Sequence, residues 1–394
     1  MQLTAANKSE VKEGNKGATV FSRTNPFQAK ILKNVNLNGA GSSKETRHIE
    51  LSLEGSGLTY EPGDALGIIP SNDPELVSAI LKEMNWDANE VITINKQGET
   101  MPLHEALTTQ FEITALSRKL LQQAAEFTDN EELKNLISDE NADQLKEYIY
   151  GRDLLDMLQD FGSWKASAQD IVSRLRKMTP RLYSIASSIA AHPGQVHLTI
   201  GAVRYNAHGR DRKGVCSVLV AERAPEGDTL PVFVQQNKHF NLPESLETDV
   251  IMVGPGTGIA PFRSFIEERA VNGTTGKTWL LFGDQHAATD FLYKEELEKY
   301  QQVGVLTNLT TAFSRDTEKK VYVQNKMIEH SKELFEWLEK GAYFYVCGDK
   351  QHMAKDVHEA LISVIEKEGA MTREAAEEYL NGMQKQKRYQ RDVY

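Results

Sequence analysis

An apolar run, Asp249-Val250-Ile251-Met252-Val253, feeds into Gly254-Pro255-Gly256-Thr257-Gly258-Ile259-Ala260-Pro261-Phe262-Arg263 and then Ser264-Phe265-Ile266-Glu267-Glu268-Arg269. The first stretch reads as a buried parallel strand, the last as an opening helical turn. A glycine-rich turn between them aims backbone N–H groups and the positive end of a helix dipole at a phosphate. Glycine there permits positive φ and close approach by a pyrophosphate. From about Glu247 the same grammar repeats. Strands are predicted over 249–253, 278–282, 306–313 and 342–347, and helices over 262–269, 291–302, 323–340, 350–369 and 372–382. That alternation calls for a parallel sheet covered on both faces.

Upstream the pattern differs. Short strands are predicted at 29–33, 46–53 (with period-2 alternation), after the turn within 60–70, and at 182–185, 196–203, 217–220 and 228–234, separated by polar turns. Such spacing favours an antiparallel barrel, and Pro231 places the last of these strands at an edge. Between them, from about 73 to 176, Leu, Ala, Glu and Lys recur at helical spacing, opening with Asp73-Pro74-Glu75, where proline suits a helix start. The division predicted is therefore a polar arm over 1–24, a barrel domain over 25–245 with this helical insertion, and an α/β domain over 246–394.

With 394 residues and a formal charge of -11, the chain is long enough for two cores and lacks the basic balance of a nucleic-acid binder. Cys216 and Cys347, its 2 cysteines, belong to no metal-spaced cluster, and no metal is expected. Neither a bilayer-length apolar segment nor an apolar signal core is present, so a reduced, cytoplasmic setting is expected.

Other segments flank the glycine turn: Arg181-Leu182-Tyr183-Ser184, Gly214-Val215-Cys216-Ser217, Phe313-Ser314-Arg315, Lys320-Val321-Tyr322-Val323-Gln324 and Tyr343-Phe344-Tyr345-Val346-Cys347-Gly348-Asp349. Taken with the ending Arg388-Tyr389-Gln390-Arg391-Asp392-Val393-Tyr394, they make the chain resemble the FAD/NADPH half of the diflavin reductases, within the wider ferredoxin–NADP reductase superfamily. The likeness covers nearly everything after about Asn25, and the ending is most similar to that of the sulfite-reducing branch. It implies an FAD-binding β-barrel followed by an NADP-binding α/β domain.

The resemblance assigns flavin binding to Arg181–Ser184. A forked guanidinium at Arg181 suits a pyrophosphate, Tyr183 can stack on the isoalloxazine, and Ser184 can hydrogen-bond near N5. By itself Arg-x-Tyr-Ser reads more readily as a barrel strand with one core-facing aromatic. Leu182 belongs to the same segment. Gly214, Val215, Cys216 and Ser217 match the second flavin segment, with Arg212 and Lys213 adding positive charge before the turn. Cys216 suits a small buried residue better than a nucleophile. Thr199, Ile200, Gly201 and Tyr205 match further flavin positions, with Tyr205 beside the adenine.

On the nucleotide side the implied set is Gly256, Thr257, Ser314, Arg315, Lys320, Val321, Tyr322, Val323, Gln324 and Asp356. Ser314, Arg315 and Lys320 provide what a 2′-phosphate needs, whereas an NAD site more often places an acidic residue there. Asp356, a carboxylate, is expected to meet ribose or to organise a neighbour. Ser184, Cys347 and Asp392 are implied as a polar set around flavin N5 and nicotinamide C4, aligning the reacting carbons. Read alone, Cys347 is an inert buried cysteine. Tyr394 is implied to cover the flavin face opposite Tyr183 and to yield to nicotinamide.

Residues before Asn25 are too few for a doubly wound domain, so FMN is expected on a flavodoxin-like domain elsewhere in a longer subunit or in trans. Sulfite itself would be reduced on a sirohaem/iron–sulfur subunit. Other readings are a general NADPH–flavodoxin or haem-protein reductase and a non-catalytic dinucleotide-binding module.

Overall fold

The computed structural model describes residues 20–394. Most of the expected arm lies outside them, but its last residues are already paired: Ser22 and Asn25 exchange backbone hydrogen bonds of 2.8 and 3.1 Å.

Strands β1 (Phe27–Asn36), β2 (Thr46–Ser52) and β3 (Ala65–Ile68) precede the insertion, which carries the small hairpin β4 (Val91–Thr93) and β5 (Thr100–Pro102). After it come β6 (Arg181–Ser184), β7 (Gln195–Gly201), the hairpin β8 (Arg204–Ala207) and β9 (Arg210–Lys213), and β10 (Thr229–Gln235). Six of these form an antiparallel sheet in the order β6-β3-β10-β1-β2-β7. The two edge strands approach each other through a single bridge, Ile185 to Leu198. Its core gathers Ile31, Ile49, Leu51, Leu66, Ile68, Leu198 and Val232. The insertion buries a core of its own around Val77, Leu103, Leu121, Met157 and Ile171. Its first helix, Pro74–Glu83, starts at the proline as the sequence suggests, and it is capped by Asp73, whose side chain accepts from the Glu75 amide at 2.9 Å.

Two expectations for this half fail. Ser217–Val220 is the start of a helix, Ser217–Glu222, in which residues 217–220 are all buried. A short apolar run fits a core strand and a core helix alike, and the Gly214 turn settles which forms. Furthermore, β10 lies inside the sheet despite Pro231. The Pro231 carbonyl accepts from Ile69 on the β3 side, so its missing N–H also faces that side, where β3 has ended at Ile68.

The second half is a parallel sheet of β11 (Val250–Val253), β12 (Thr278–Asp284), β13 (Asn308–Phe313), β14 (Tyr343–Gly348) and β15 (Tyr389–Val393), ordered β13-β12-β11-β14-β15. β15 was not anticipated; only Tyr389 of its five residues is fully buried. The helix expected over 323–340 is two, Val323–Glu329 and Ser331–Glu339, broken at His330. The helix expected from 291 begins at Lys294, because Tyr293 is held at φ 56°. Helices cover both faces, and strands β11 and β14 bury every residue but Tyr343. Among the described residues no helix is long and apolar enough to cross a membrane.

Candidate functional site

The switch in strand order falls between β11 and β14, and a ligand crevice is expected outside the carboxyl ends of such strands. There the loop after β11 packs directly on the end of β14. A Cβ built on Gly258 would lie 2.2 Å from the Cys347 carbonyl oxygen, so only glycine allows the approach. A cleft of about 1500 Å³ opens at this edge and extends along the antiparallel sheet.

On its nucleotide side the cleft is lined by Gly256 and Thr257 from the β11 loop, and by Ser314, Arg315, Lys320, Tyr322, Val323 and Gln324 beyond β13. The backbone amides of Ser314 and Arg315 are fixed to the carbonyls of Asp284 and Gln285, each at 2.9 Å. Both cationic side chains, Arg315 and Lys320, are exposed. Asp356 also lines the cleft and accepts from Gln324 Nε2 at 3.1 Å, so it organises a neighbour.

On the opposite side stand Arg181, Leu182, Tyr183 and Ser184 of β6, Thr199 and Gly201 of β7, and the turn Gly214, Val215, Cys216, Ser217. The turn is tight: a Cβ on Gly214 would meet Ser217 Oγ at 2.6 Å. Gly214 N–H donates to Val203 O at 2.9 Å, and Val203 N–H donates to Ser217 Oγ at 3.1 Å. The amides of Val215, Cys216 and Ser217 find no acceptor among the described residues, which leaves them for an anion. Arg181 is held by Glu112 at 3.0 Å and by the Thr179 carbonyl at 2.6 Å. Burial pushes the Glu112 carboxyl up, but hydrogen bonds from Thr114 and Arg181 hold it below its usual range. Tyr183 packs on the sheet core, with its hydroxyl against the buried Cys216 thiol. Burial pushes that thiol up to about 11, so Cys216 remains a neutral thiol.

The two sides meet where β15 ends. Pairing of β14 with β15 sets Cys347 opposite Asp392 and Gly348 opposite Val393. Ser184 Oγ reaches across from β6 and donates to Asp392 Oδ2 at 2.6 Å. Burial raises the Asp392 carboxyl above its ordinary range, and the Ser184 hydrogen bond draws it partly back. Cys347 lies just behind this wall, wholly buried and bordering the same hydroxyl. Burial and the Asp392 charge push its thiol far up, which rules it out as a nucleophile. Tyr394 is 63% exposed in the mouth of the cleft, its hydroxyl 2.8 Å from Thr257 Oγ1.

Not every expected residue is present in the lining. Ile200 is buried in the antiparallel core, because alternation along β7 turns its side chain away, and Val321, on the loop before the helix Val323–Glu329, packs on the parallel one. Tyr205 is on the outer hairpin, away from the lining. The Thr199 hydroxyl is engaged by Tyr293 at 2.7 Å. Arg212 and Lys213 add no free charge to the turn, since Asp153 and Asp156 bind the first, and Asp73 and Glu222 the second. Conversely, Lys44 lines the cleft from the β1–β2 loop, 2.5 Å from Asp284, with nothing in its local sequence to single it out.

Comparison with known proteins agrees with this layout. A model of the FAD binding domain matches residues 19–219, and one of the oxidoreductase NAD-binding domain matches 252–359. The sulfite reductase [NADPH] flavoprotein alpha-component of Bacillus subtilis is 63% identical over 378 residues, covering 96% of this chain and 62% of that protein. Its counterparts from Aliivibrio fischeri and Zymomonas mobilis are 46% and 44% identical, over 95% and 100% of this chain and 61% and 64% of theirs. The chain thus spans about six-tenths of the length of these relatives and closely resembles their C-terminal FAD/NADPH module. With more than half of its length matched by the FAD binding domain and an NAD-binding domain following, the chain belongs to the FAD-binding oxidoreductases of the diflavin reductase family.

Proposed function

We propose that the chain is an NADPH-dependent flavoprotein reductase module that takes hydride from NADPH onto FAD and passes electrons to a flavodoxin-like FMN domain for sulfite reduction. The observation that carries this reading is the Ser184–Asp392 hydrogen bond, which joins the flavin-side strand to the nucleotide-side sheet within one cleft. We divide the chain accordingly into an FAD-binding domain over 25–245, its sheet closing as a barrel through the Ile185–Leu198 bridge, and an NADP-binding domain over 246–394.

The residues present fit FAD: the open amides of Val215, Cys216 and Ser217 suit its pyrophosphate, the guanidinium of Arg181, fixed by its ion pair with Glu112, lines the same side, and Tyr183 offers a ring. The cleft exceeds the several hundred Å³ that one ligand of drug size occupies, leaving room for a second dinucleotide. When bound, FAD supplies the redox chemistry, accepting a hydride and releasing electrons singly. Arg315 and Lys320 hold the 2′-phosphate, and Ser314 adds a hydroxyl donor. Ser184 and Asp392 keep a polar, fixed pair beside the reacting carbons, and Cys347 fills the space behind them. Tyr394 covers the flavin face and moves aside for nicotinamide. The FMN domain and a sirohaem/iron–sulfur subunit complete the route in the longer protein or in trans.

Arg315→Ala combined with Lys320→Ala is the test of the nucleotide side. The apparent constant for NADPH should rise about tenfold to a hundredfold, corresponding to ~1–3 kcal/mol of lost charge-assisted contact, with little change for NADH. Stopped-flow bleaching of the bound flavin gives both values. Equal losses with the two nucleotides, or a flavin that NADPH leaves oxidised, would overturn the assignment.

A further inference from the structure

The hairpin β8–β9 poses a question of support. A two-stranded ribbon is marginal alone, and this one has no apolar face: of its eight residues only Arg212 is buried. Yet it ends at Lys213, immediately before the Gly214–Ser217 turn. What fixes it is a box of four charges at the seam with the helical insertion. Arg212 Nη1 donates to Asp153 Oδ2 and Asp156 Oδ2, both at 2.8 Å, and its Nη2 donates to Asp156 Oδ1 at 3.1 Å. Arg210 Nη1 donates to Asp153 Oδ1 at 3.0 Å and Asp156 Oδ1 at 2.7 Å.

The acceptors are themselves rigid. Asp153 and Asp156 form a reciprocal capping box at the head of the helix Leu154–Asp160: Asp153 N–H donates to Asp156 Oδ2 at 2.7 Å, and Asp156 N–H donates to Asp153 Oδ1 at 3.2 Å. Lys213 is tied 3.0 Å from Asp73, the cap of the first helix of the insertion, and 3.2 Å from Glu222. Buried ion pairs contribute little net stability but impose a geometry. Here the geometry imposed is that of the strand leading into Gly214.

We propose that Arg210, Arg212, Asp153 and Asp156 are positioning residues through which the helical insertion sets the shape of the flavin-phosphate turn, so that flavin affinity depends on a contact remote from the flavin. The inference rests on the reading that Gly214–Ser217 holds the FAD pyrophosphate. It gives the insertion, whose core is separate from that of the sheet, a role in cofactor retention. Forked donors matter in this arrangement, since a lysine cannot reproduce the bonds that Arg212 makes to both carboxylates.

The test uses the full chain stripped of flavin and titrated with FAD, alongside thermal melting of the flavin-free protein. Asp156→Asn and Arg212→Lys should each raise the FAD dissociation constant at least tenfold, mainly through faster release, while the flavin-free melting temperature moves by only a few degrees. An unchanged dissociation constant would overturn the proposal. So would a loss of affinity accompanied by collapse of the flavin-free melt, the mark of a purely structural box. Should a single replacement fail to fold, the neutral quartet Asp153→Asn, Asp156→Asn, Arg210→Gln, Arg212→Gln, which removes the fork and leaves no buried charge unpaired, takes its place in the same titration, and the same loss of FAD affinity is expected. Gly214→Val separates the two readings. If that variant retains full affinity, the phosphate-turn assignment itself falls; if it loses FAD while the box variants do not, only the present inference falls.

Discussion

At the scale of residues, the site is governed by which polar groups are free and which are engaged. Arg315 and Lys320 are exposed and find no carboxylate partner among the described residues, whereas Arg212 and Lys213 have the same chemistry but are bound by carboxylates from distant segments. Sequence gives the kind of charge but not its partner, so proximity to Gly214 suggested a local positive charge that the ion pairs offset. The Ser184–Asp392 pair has a more specific consequence. Removing the hydroxyl in Ser184→Ala takes away the hydrogen bond that favours the ionised carboxylate, so the Asp392 carboxyl must rise further above its ordinary range. The acid limb of flavin reduction by NADPH should then move to higher pH, with a maximal rate roughly tenfold to a hundredfold lower, as for a lost hydrogen bond to a charged group. In Asp392→Asn that limb should vanish. Single-turnover reduction measured from pH 5 to 9 checks both, and an unshifted limb would remove Asp392 from the reacting set.

Elements show where legibility ends. The strand–helix grammar after Glu247 survives folding because buried parallel strands are written as apolar runs. β15 is not written that way: Tyr389-Gln390-Arg391-Asp392-Val393 has one fully buried residue, and pairing with β14, not burial, makes it a strand. Hence the neighbourhood of Asp392 and Cys347 could be inferred only by likeness to relatives. Pro231 misleads for the converse reason, since its position depends on where β3 stops. Two glycines put the close-packing argument to a measurement. Gly258→Ala places a Cβ against the Cys347 backbone and should cost about 1–3 kcal/mol by urea unfolding. Gly382→Ala, in the helix Arg373–Lys385 with nothing within 4 Å, should instead stabilise by up to ~1 kcal/mol. Equal effects would mean that the β11 loop does not press on β14.

For the whole molecule, the seam between the two sheets gathers two buried imidazoles, His48 and His197, around Arg263. Arg263, from the helix Ala260–Val271, donates to the Ala186 carbonyl at 2.6 Å and meets His197 Nδ1 at 3.3 Å. His48 Nδ1 lies 2.9 Å from the Tyr293 hydroxyl. His48, Glu50 and His197 are close enough to suggest a metal site. However, acceptance from Arg263 leaves the His197 proton on Nε2, 3.1 Å from Gln195 Oε1, so that lone pair is not offered. Burial, then the Arg263 charge, lowers both imidazoles, His197 to about 2. Lys33, Glu50, His192 and Glu267 complete the charged surroundings. Because the native state binds fewer protons than the unfolded chain, stability is full above pH 6.5 and declines as pH falls below it. Between pH 6.5 and 5.5 unfolding in urea should show a loss of about 1 kcal/mol from His197, with His48 adding to it in the same direction, and His48→Gln with His197→Gln should flatten that slope. A parallel slope in the double variant would place the sensitivity elsewhere.

β10 joins the antiparallel sheet in its middle, with β3 on one side and β1 on the other. On a ribosome that order becomes a timetable. β1 can pair with β2, β2 with β7, and β3 with β6, while the insertion completes its own core within residues 77–175. Until Gln235 has emerged, these remain two ribbons whose inner edges carry unpaired backbone groups, open to any other strand. The last strand made is thus the one that unites them, and contacts so distant in sequence form slowly. Similarity to the FAD binding domain stops at residue 219, ahead of that strand. A chain released there would contain the Arg181–Ser184 and Gly214–Ser217 segments and still lack the piece that makes its two ribbons one sheet.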